Sequence, residues 1–225
     1  MALQLVIGNK NYSSWSMRPW VLMRALDIPF EETKLRFDFR DNSPFRQAVA
    51  RVSPAGTVPV LLDDGFSVWD TLAIAEYLAE RFPGVWPADA QARARARSLC
   101  AEMHAGFGPL RSHCPMNIEA SLPEVGAKVW AEQDDVRRNV ARIESMWAEA
   151  LQGSGGPFLF GAFGAVDAYF APVCMRLRGY ALPVSATTQA YVERVAVAPG
   201  VRDWIADALA EADFLDFDEP HRKGR

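Results

Sequence analysis

Cysteine is scarce in this chain. Cys100, Cys114 and Cys174 are the only three in 225 residues, and no two form a close C-x-x-C pair. An odd, sparse set argues against a disulfide framework and for a reducing compartment. Basic residues are not in excess either: 24 Lys and Arg against 28 Asp and Glu leave a net charge of −4. A non-specific nucleic-acid binder usually carries the opposite balance, so no nucleic-acid partner is expected. Apolar runs fall well short of the roughly 20 residues that span a bilayer, so no membrane partner is expected. The apolar start, residues 1–8, is of strand length and carries no basic leader, which reads as no signal peptide and a cytoplasmic location. GxGxxG, P-loop and GxSxG motifs are missing, which makes a nucleotide site or a Ser-His-Asp hydrolase remote. What is present is an ordinary globular composition, 50% hydrophobic and 23% charged, in a chain long enough for one large or two small domains.

The first third and the remainder differ in pattern. Residues 3–7 read as a buried strand and residues 15–26 as a helix capped by a serine, with Pro19 tolerable only in its first turn. Residues 32–37 alternate as a strand, completing a βαβ unit that implies parallel pairing. Residues 43–52 are a short helical or irregular piece. A hairpin follows, 58–62 and 66–69, joined by the Asp63-Asp64-Gly65 turn. A helix then opens at Asp70-Thr71 and runs to residue 81. The breaker cluster 82–87 is the linker. Beyond it helices are expected over 91–107, 125–151, 166–178, 187–197 and 200–212. Gly106, Gly108 and Pro109 are expected to interrupt the first of these. The charged tail, 218–225, is expected to fray. The fold class is therefore α+β followed by all-α: a βαβ-ββα domain over 1–82 and a helical domain over 88–217.

Two positions have double readings. Pro59 is either an ordinary edge-strand proline or one that follows a cis peptide, which would turn the Val58 N–H and C=O outward toward an extended peptide-like ligand. Asp70-Thr71 is either a simple helix cap or a zwitterion site, with helix N–H groups for an anion and the Asp for an ammonium group.

The serine loop after the first strand, Val58-Pro59 and Asp70-Thr71, followed by a helical half, resemble the cytosolic glutathione transferase family. The segment 53–61 (SPAGTVPVL) resembles the family's approach to its cis-proline, and 69–78 (WDTLAIAEYL) its glutathione-binding helix start. The segment 161–167 (GAFGAVD) resembles its N-capping motif, with Gly164 in place of Ser or Thr and Asp167 at the matching acid. The run 13–18 (SSWSMR) is similar to the serine-type, zeta-like run Ser-Ser-Cys-Ser-Trp-Arg. Trp15 stands where that pattern has cysteine, and Pro19 is extra. With no cysteine in the loop, the cysteine-dependent members that reduce mixed disulfides fit less well.

The resemblance implies a thioredoxin-like first domain, glutathione as co-substrate, no metal, a homodimer and a detoxifying transferase. It places Ser13 at the thiol, with Ser14 as its neighbouring alternative. Arg18, Val58, Pro59, Asp70 and Thr71 join Ser13 around glutathione. A small apolar electrophile would sit against Met103, Phe107, Arg111 and Ser112. Serine would donate to the thiolate, not act as a base. Lowering a thiol pKa by roughly two units takes about 2.7 kcal/mol. One charge-assisted hydrogen bond supplies about 1.5–3 kcal/mol and a helix N-terminus about 0.3–1, so the two together suffice. The alternatives are a binding protein on the same fold with little catalysis, and a zeta-like glutathione-dependent isomerase. Cys100 and His104, four apart, are not read as metal ligands, because His113 and Cys114 lie too far along the chain.

Overall fold

The computed structural model describes residues 3–225; Met1 and Ala2, where the leader expectation begins, lie outside the described residues. Strand β1 (Leu3–Ile7) is followed by α1 (Ser14–Ala25), β2 (Phe30–Lys34), α2 (Pro44–Ala50), β3 (Val60–Asp63), β4 (Phe66–Trp69) and α3 (Thr71–Ala79). The sheet order is β2-β1-β3-β4, with β1 and β2 parallel and the other pairs antiparallel. This is the expected α+β, thioredoxin-like arrangement. A helical half follows: α4 (Ala90–Ala105), α5 (Gly108–His113), α6 (Pro123–Glu132), α7 (Asp134–Ser154), α8 (Ala165–Gly179), α9 (Ala186–Val197) and α10 (Pro199–Glu211).

Several boundaries differ from expectation for local reasons. β2 lies two residues earlier because its partner β1 ends at Ile7; after Leu35 N–H reaches the Ile7 carbonyl, the Phe37 amide turns to the Asn9 side chain. Pro19 sits inside α1, beyond the first turn, so the Trp15 carbonyl loses its usual helical donor. The expected helix over 125–151 is two helices, broken at Gln133. Asp134 and Asp135 open α7, each paired with an arginine three residues on, and the Arg137 guanidinium satisfies the Trp130 carbonyl at the end of α6. α4 stops at Gly106, and Phe107 takes a left-handed conformation before α5. The β3–β4 turn has Asp64 and Gly65 both at positive φ, as the Asp-Gly signal requires.

The two halves share one core. α1 packs on α8 and α10, and Trp20 of α1 meets Trp204 of α10 edge-on at 5.3 Å. α8 is buried along nearly its whole length, from Ala165 to Leu177. Its entry explains Gly164: a Cβ there would lie 3.2 Å from the Val85 carbonyl oxygen. The cap is made instead by Asp167, whose carboxylate accepts from the Gly164 and Leu159 amides at 3.1 Å each and from the Tyr191 hydroxyl at 2.8 Å. Burial nevertheless dominates those three donors and raises the Asp167 pKa to about 6.

Candidate functional site

The serine loop turns tightly from β1 into α1. Ser13 is the N-cap residue, yet its hydroxyl does not cap the helix. It donates to Ser16 Oγ at 2.7 Å, and Ser16 Oγ accepts from the Gly8 amide at 3.1 Å. The Ser13 proton is thus used within the turn. The neighbouring Ser14 side chain makes no hydrogen bond among the described residues. Its carbonyl accepts from Arg18 Nη1 at 2.8 Å. The helix closes on itself only from Met17, which donates to the Ser13 carbonyl. That leaves Trp15 and Ser16 amides at the positive end of α1 without backbone acceptors among the described residues.

The Val58–Pro59 peptide is cis. Because β3 begins pairing only at Val60, the Val58 backbone stands outside the ladder. Across from it, Asp70 is the N-cap of α3 at φ 71°, ψ 134°, a backbone state rare for an L-residue. Its Oδ1 accepts from the Leu72 amide at 3.0 Å, while Oδ2 lies 3.4 Å from His104 Nε2. Thr71 is buried and its hydroxyl bonds the Tyr169 hydroxyl of α8 at 2.7 Å. Trp15, Thr57, Val58, Pro59, Asp70, Thr71 and His104 line one cavity of about 180 Å³. So three separate sequence signals, the start of α1, the cis-proline and the start of α3, meet at one place.

The remaining expected residues distribute differently. Arg18 is buried beneath Trp15, 4.1 Å from the ring centroid, and donates to the Ser14 and Tyr169 carbonyls. Met103 is sealed in the core and Phe107 is buried at the α4–α5 junction, whereas Ser112 is exposed. Arg111 is half-buried with its guanidinium 5.5 Å from the Trp15 ring. Trp15 and His104 both border the cavity, their rings 5.1 Å apart. His104 sits in the last turn of α4, two residues before the break at Gly106. The three cysteines are buried and their thiol pKa values are raised, Cys114 to about 12, by burial above all. Among the described residues no group of three or more His, Cys, Asp or Glu is placed to hold a metal ion. Among the described residues no helix is long and apolar enough to cross a membrane.

The loop is held from behind by the C-terminal end of the chain. Glu211 accepts from the Lys10 amide at 2.9 Å, and Asp213 from Asn9 Nδ2 at 3.0 Å. The Tyr12 hydroxyl donates to Glu219 Oε1 at 2.7 Å and accepts from the Leu215 amide at 3.2 Å. Glu219 is buried and also paired with Arg222 and Asn117. The expected frayed tail is therefore tied down at least to Arg222, and Arg225 reaches Glu119 at 2.7 Å. The Tyr12 phenol therefore bonds to the tail and does not line the cavity, and burial with the Glu219 carboxylate pushes its pKa up to about 12.

With this geometry in place, comparison with known proteins is direct. Residues 12–81 match the family model for the glutathione S-transferase N-terminal domain, and residues 90–207 that for its C-terminal domain. The chain belongs to the glutathione S-transferase family. It is 26% identical to glutathione S-transferase 1 of Dianthus caryophyllus over 174 residues, 76% of this chain and 75% of that protein. It is 35% identical to glutathione S-transferase theta-1 of Mus musculus over 98 residues, a match spanning 42% of this chain and only 39% of the mouse protein. Its fold matches a glutathione transferase homolog from Burkholderia gl BGR1 solved with bound glutathione, with a TM-score of 0.70 at 24% identity, covering 93% of this chain and all of that one.

Proposed function

We propose that this chain is a glutathione transferase that joins the glutathione thiolate to a small electrophile. The observation that carries the reading is the convergence of the α1 N-terminus, the cis Val58–Pro59 peptide and the Asp70-Thr71 helix start on one cavity. Val58, with its backbone outside the ladder, pairs with the cysteinyl backbone of the tripeptide. The Asp70 carboxylate takes the γ-glutamyl ammonium, and the amides at the start of α3 take its carboxylate. The thiol then comes to the start of α1, where Trp15 and Ser16 amides and a serine hydroxyl favour the anion.

Of the two serines, Ser14 has the uncommitted proton, while the Ser13 proton is shared with Ser16. We assign thiolate stabilisation to Ser14, with Ser13 holding the turn. Arg18 acts through Ser14: its bond to the Ser14 carbonyl fixes the first turn of α1. The reading extends to a homodimer and to a reducing cytoplasm, the second supported by three free cysteines. Calorimetric titration with glutathione, followed by conjugation of a chloronitroarene, tests it. Millimolar or tighter binding with turnover is expected. Binding without turnover of any electrophile would favour the interaction role, and turnover of a cis-dienoic keto acid with glutathione regenerated would favour the isomerase. No binding at millimolar glutathione would overturn the assignment.

A further inference from the structure

Two arginines, Arg18 and Arg111, gather at Trp15, and neither is paired with a carboxylate among the described residues. Most arginines of this chain that engage another residue find a carboxylate: Arg36 takes Asp213, Arg97 takes Glu76 and Arg142 takes Glu102, each through two hydrogen bonds. Arg18 and Arg176, which are buried, find only neutral carbonyls, those of Tyr169 and Ser14 for the first and of Cys114 and Pro172 for the second. Arg18 Nη2 is sealed from solvent and has no hydrogen-bond partner among the described residues. Arg111, half-buried, has no carboxylate partner among the described residues, and it shares the Trp15 ring with Arg18 at centroid distances of 5.5 and 4.1 Å. The three cations feel one another: burial first, then the charges of Arg176 and Arg111, lower the Arg18 pKa to about 9. Burying a cation with an orphaned N–H and no anion is costly, and folded proteins usually supply the missing partner.

The head group of the tripeptide is not held by these arginines. In the reading above its head group is served by Asp70 and the amides of α3, at the end of the cavity where His104 pairs with Asp70. Arg18 and Arg111 border Trp15 but are not among the residues that line that cavity. We propose that the second-substrate subsite beside Trp15 is built for an aromatic electrophile bearing a carboxylate, its ring on the Trp15 side chain and its anion against Arg111 with Arg18 behind. The inference rests on the glutathione reading for its chemistry. The thiolate sulfur attacks the ring carbon bearing a halide, a C–S bond forms, the C–halogen bond breaks, and the halide leaves with the bonding pair. No oxidant or reductant enters. Arg111 is then a specificity residue that touches the substrate, and the preference it creates is for charge and not for shape.

The test uses two isosteric pairs and the full-length protein. Binding of 4-nitrobenzoate and 4-nitrobenzamide is measured by calorimetry without glutathione, so the result stands whether or not the chain proves to be a transferase. The wild type is expected to bind the carboxylate at least tenfold more tightly. Arg111→Gln should abolish that preference, and Arg111→Lys should restore most of it. In the second arm, 4-chloro-3-nitrobenzoate and its amide are compared as electrophiles, with the ratio of their kcat/KM values as the readout; the same substitutions should move the ratio in the same direction. Equal affinity of the wild type for the benzoate and the benzamide would overturn the proposal, as would a ratio that Arg111→Gln leaves unmoved. Competitive displacement of 4-nitrobenzoate by glutathione would also overturn it, since the arginines would then hold a carboxylate of the tripeptide. A wild type that prefers the benzoate but binds no glutathione would sink the transferase reading and leave this site standing.

Discussion

Ser13 and Ser14 are adjacent, similar in burial and opposite in what their hydroxyls do. Only the geometry separates them, because Ser13 is drawn to Ser16 by the turn that follows Gly8. Ser14→Ala should therefore lower kcat with a chloronitroarene by roughly 10- to 100-fold, the worth of one charge-assisted hydrogen bond of about 1.5–3 kcal/mol. Ser13→Ala should mainly cost stability, about 1 kcal/mol, read by urea unfolding. The reverse pattern would return the thiol to Ser13. At the start of α3, Asp70→Asn removes the carboxylate offered to an ammonium group but keeps the cap oxygen that accepts from the Leu72 amide. Glutathione affinity should fall more than tenfold by calorimetry while the melting temperature changes little. The residue types at this site were legible in the sequence; Pro59 and Asp70-Thr71 each carried a structural and a functional reading. What no spacing revealed was the meeting of Trp15, in the first turn of α1, with His104, in the last turn of α4, where His104 also reaches Asp70 at the start of α3.

At the scale of elements, the C-terminal segment does more than end the chain. It supplies Glu211, Asp213, Leu215 and Glu219 to the loop that carries the serines. A charged tail reads as solvated in the sequence because its partners, Tyr12 and Asn117, lie more than a hundred residues away. Tyr12→Phe keeps the ring and removes the hydroxyl, leaving a buried carboxylate oxygen and the Leu215 amide short of a partner. The expected cost is about 1–3 kcal/mol in urea unfolding, with faster amide exchange confined to residues 9–14 and 213–222. Exchange unchanged in both stretches would show that the tail does not hold the loop. The split between α6 and α7 was hidden for a related reason. The 3.6-residue apolar period continues through Gln133, and the break is made by side chains, Arg137 with Asp134 and with the Trp130 carbonyl.

For the whole molecule, the two halves fold as one because α1 is shared property. It carries the site at its N-terminus and buries its other faces against α8 and α10. Gly200 marks the closeness: a Cβ there would lie 2.5 Å from the Val21 carbonyl oxygen, so Gly200→Ala should force α10 off α1 and destabilise by about 1–3 kcal/mol, measured by thermal unfolding. The buried Asp167 gives the fold a pH dependence of its own. Its folded pKa, about 6, lies above the unfolded carboxylate value, so the native state binds the extra proton between roughly pH 4 and 6. Its contribution is therefore fullest below about pH 4 and falls as pH rises through 6, by on the order of 2–3 kcal/mol. Urea unfolding at successive pH values should show the wild type losing ground to Asp167→Asn across that window; a constant difference would contradict the assignment. Fold class was legible because strand and helix periods change at the 82–87 breaker, whereas the close approach of α10 to α1 at Gly200 is marked by no pattern. The most direct measurement is the ultraviolet absorbance of the glutathione thiolate, titrated with pH in the presence of saturating protein. The account predicts a midpoint about two units below the free thiol value near 8.5, moving back toward it in Ser14→Ala. Bound glutathione that ionises at the same pH as free glutathione would contradict it.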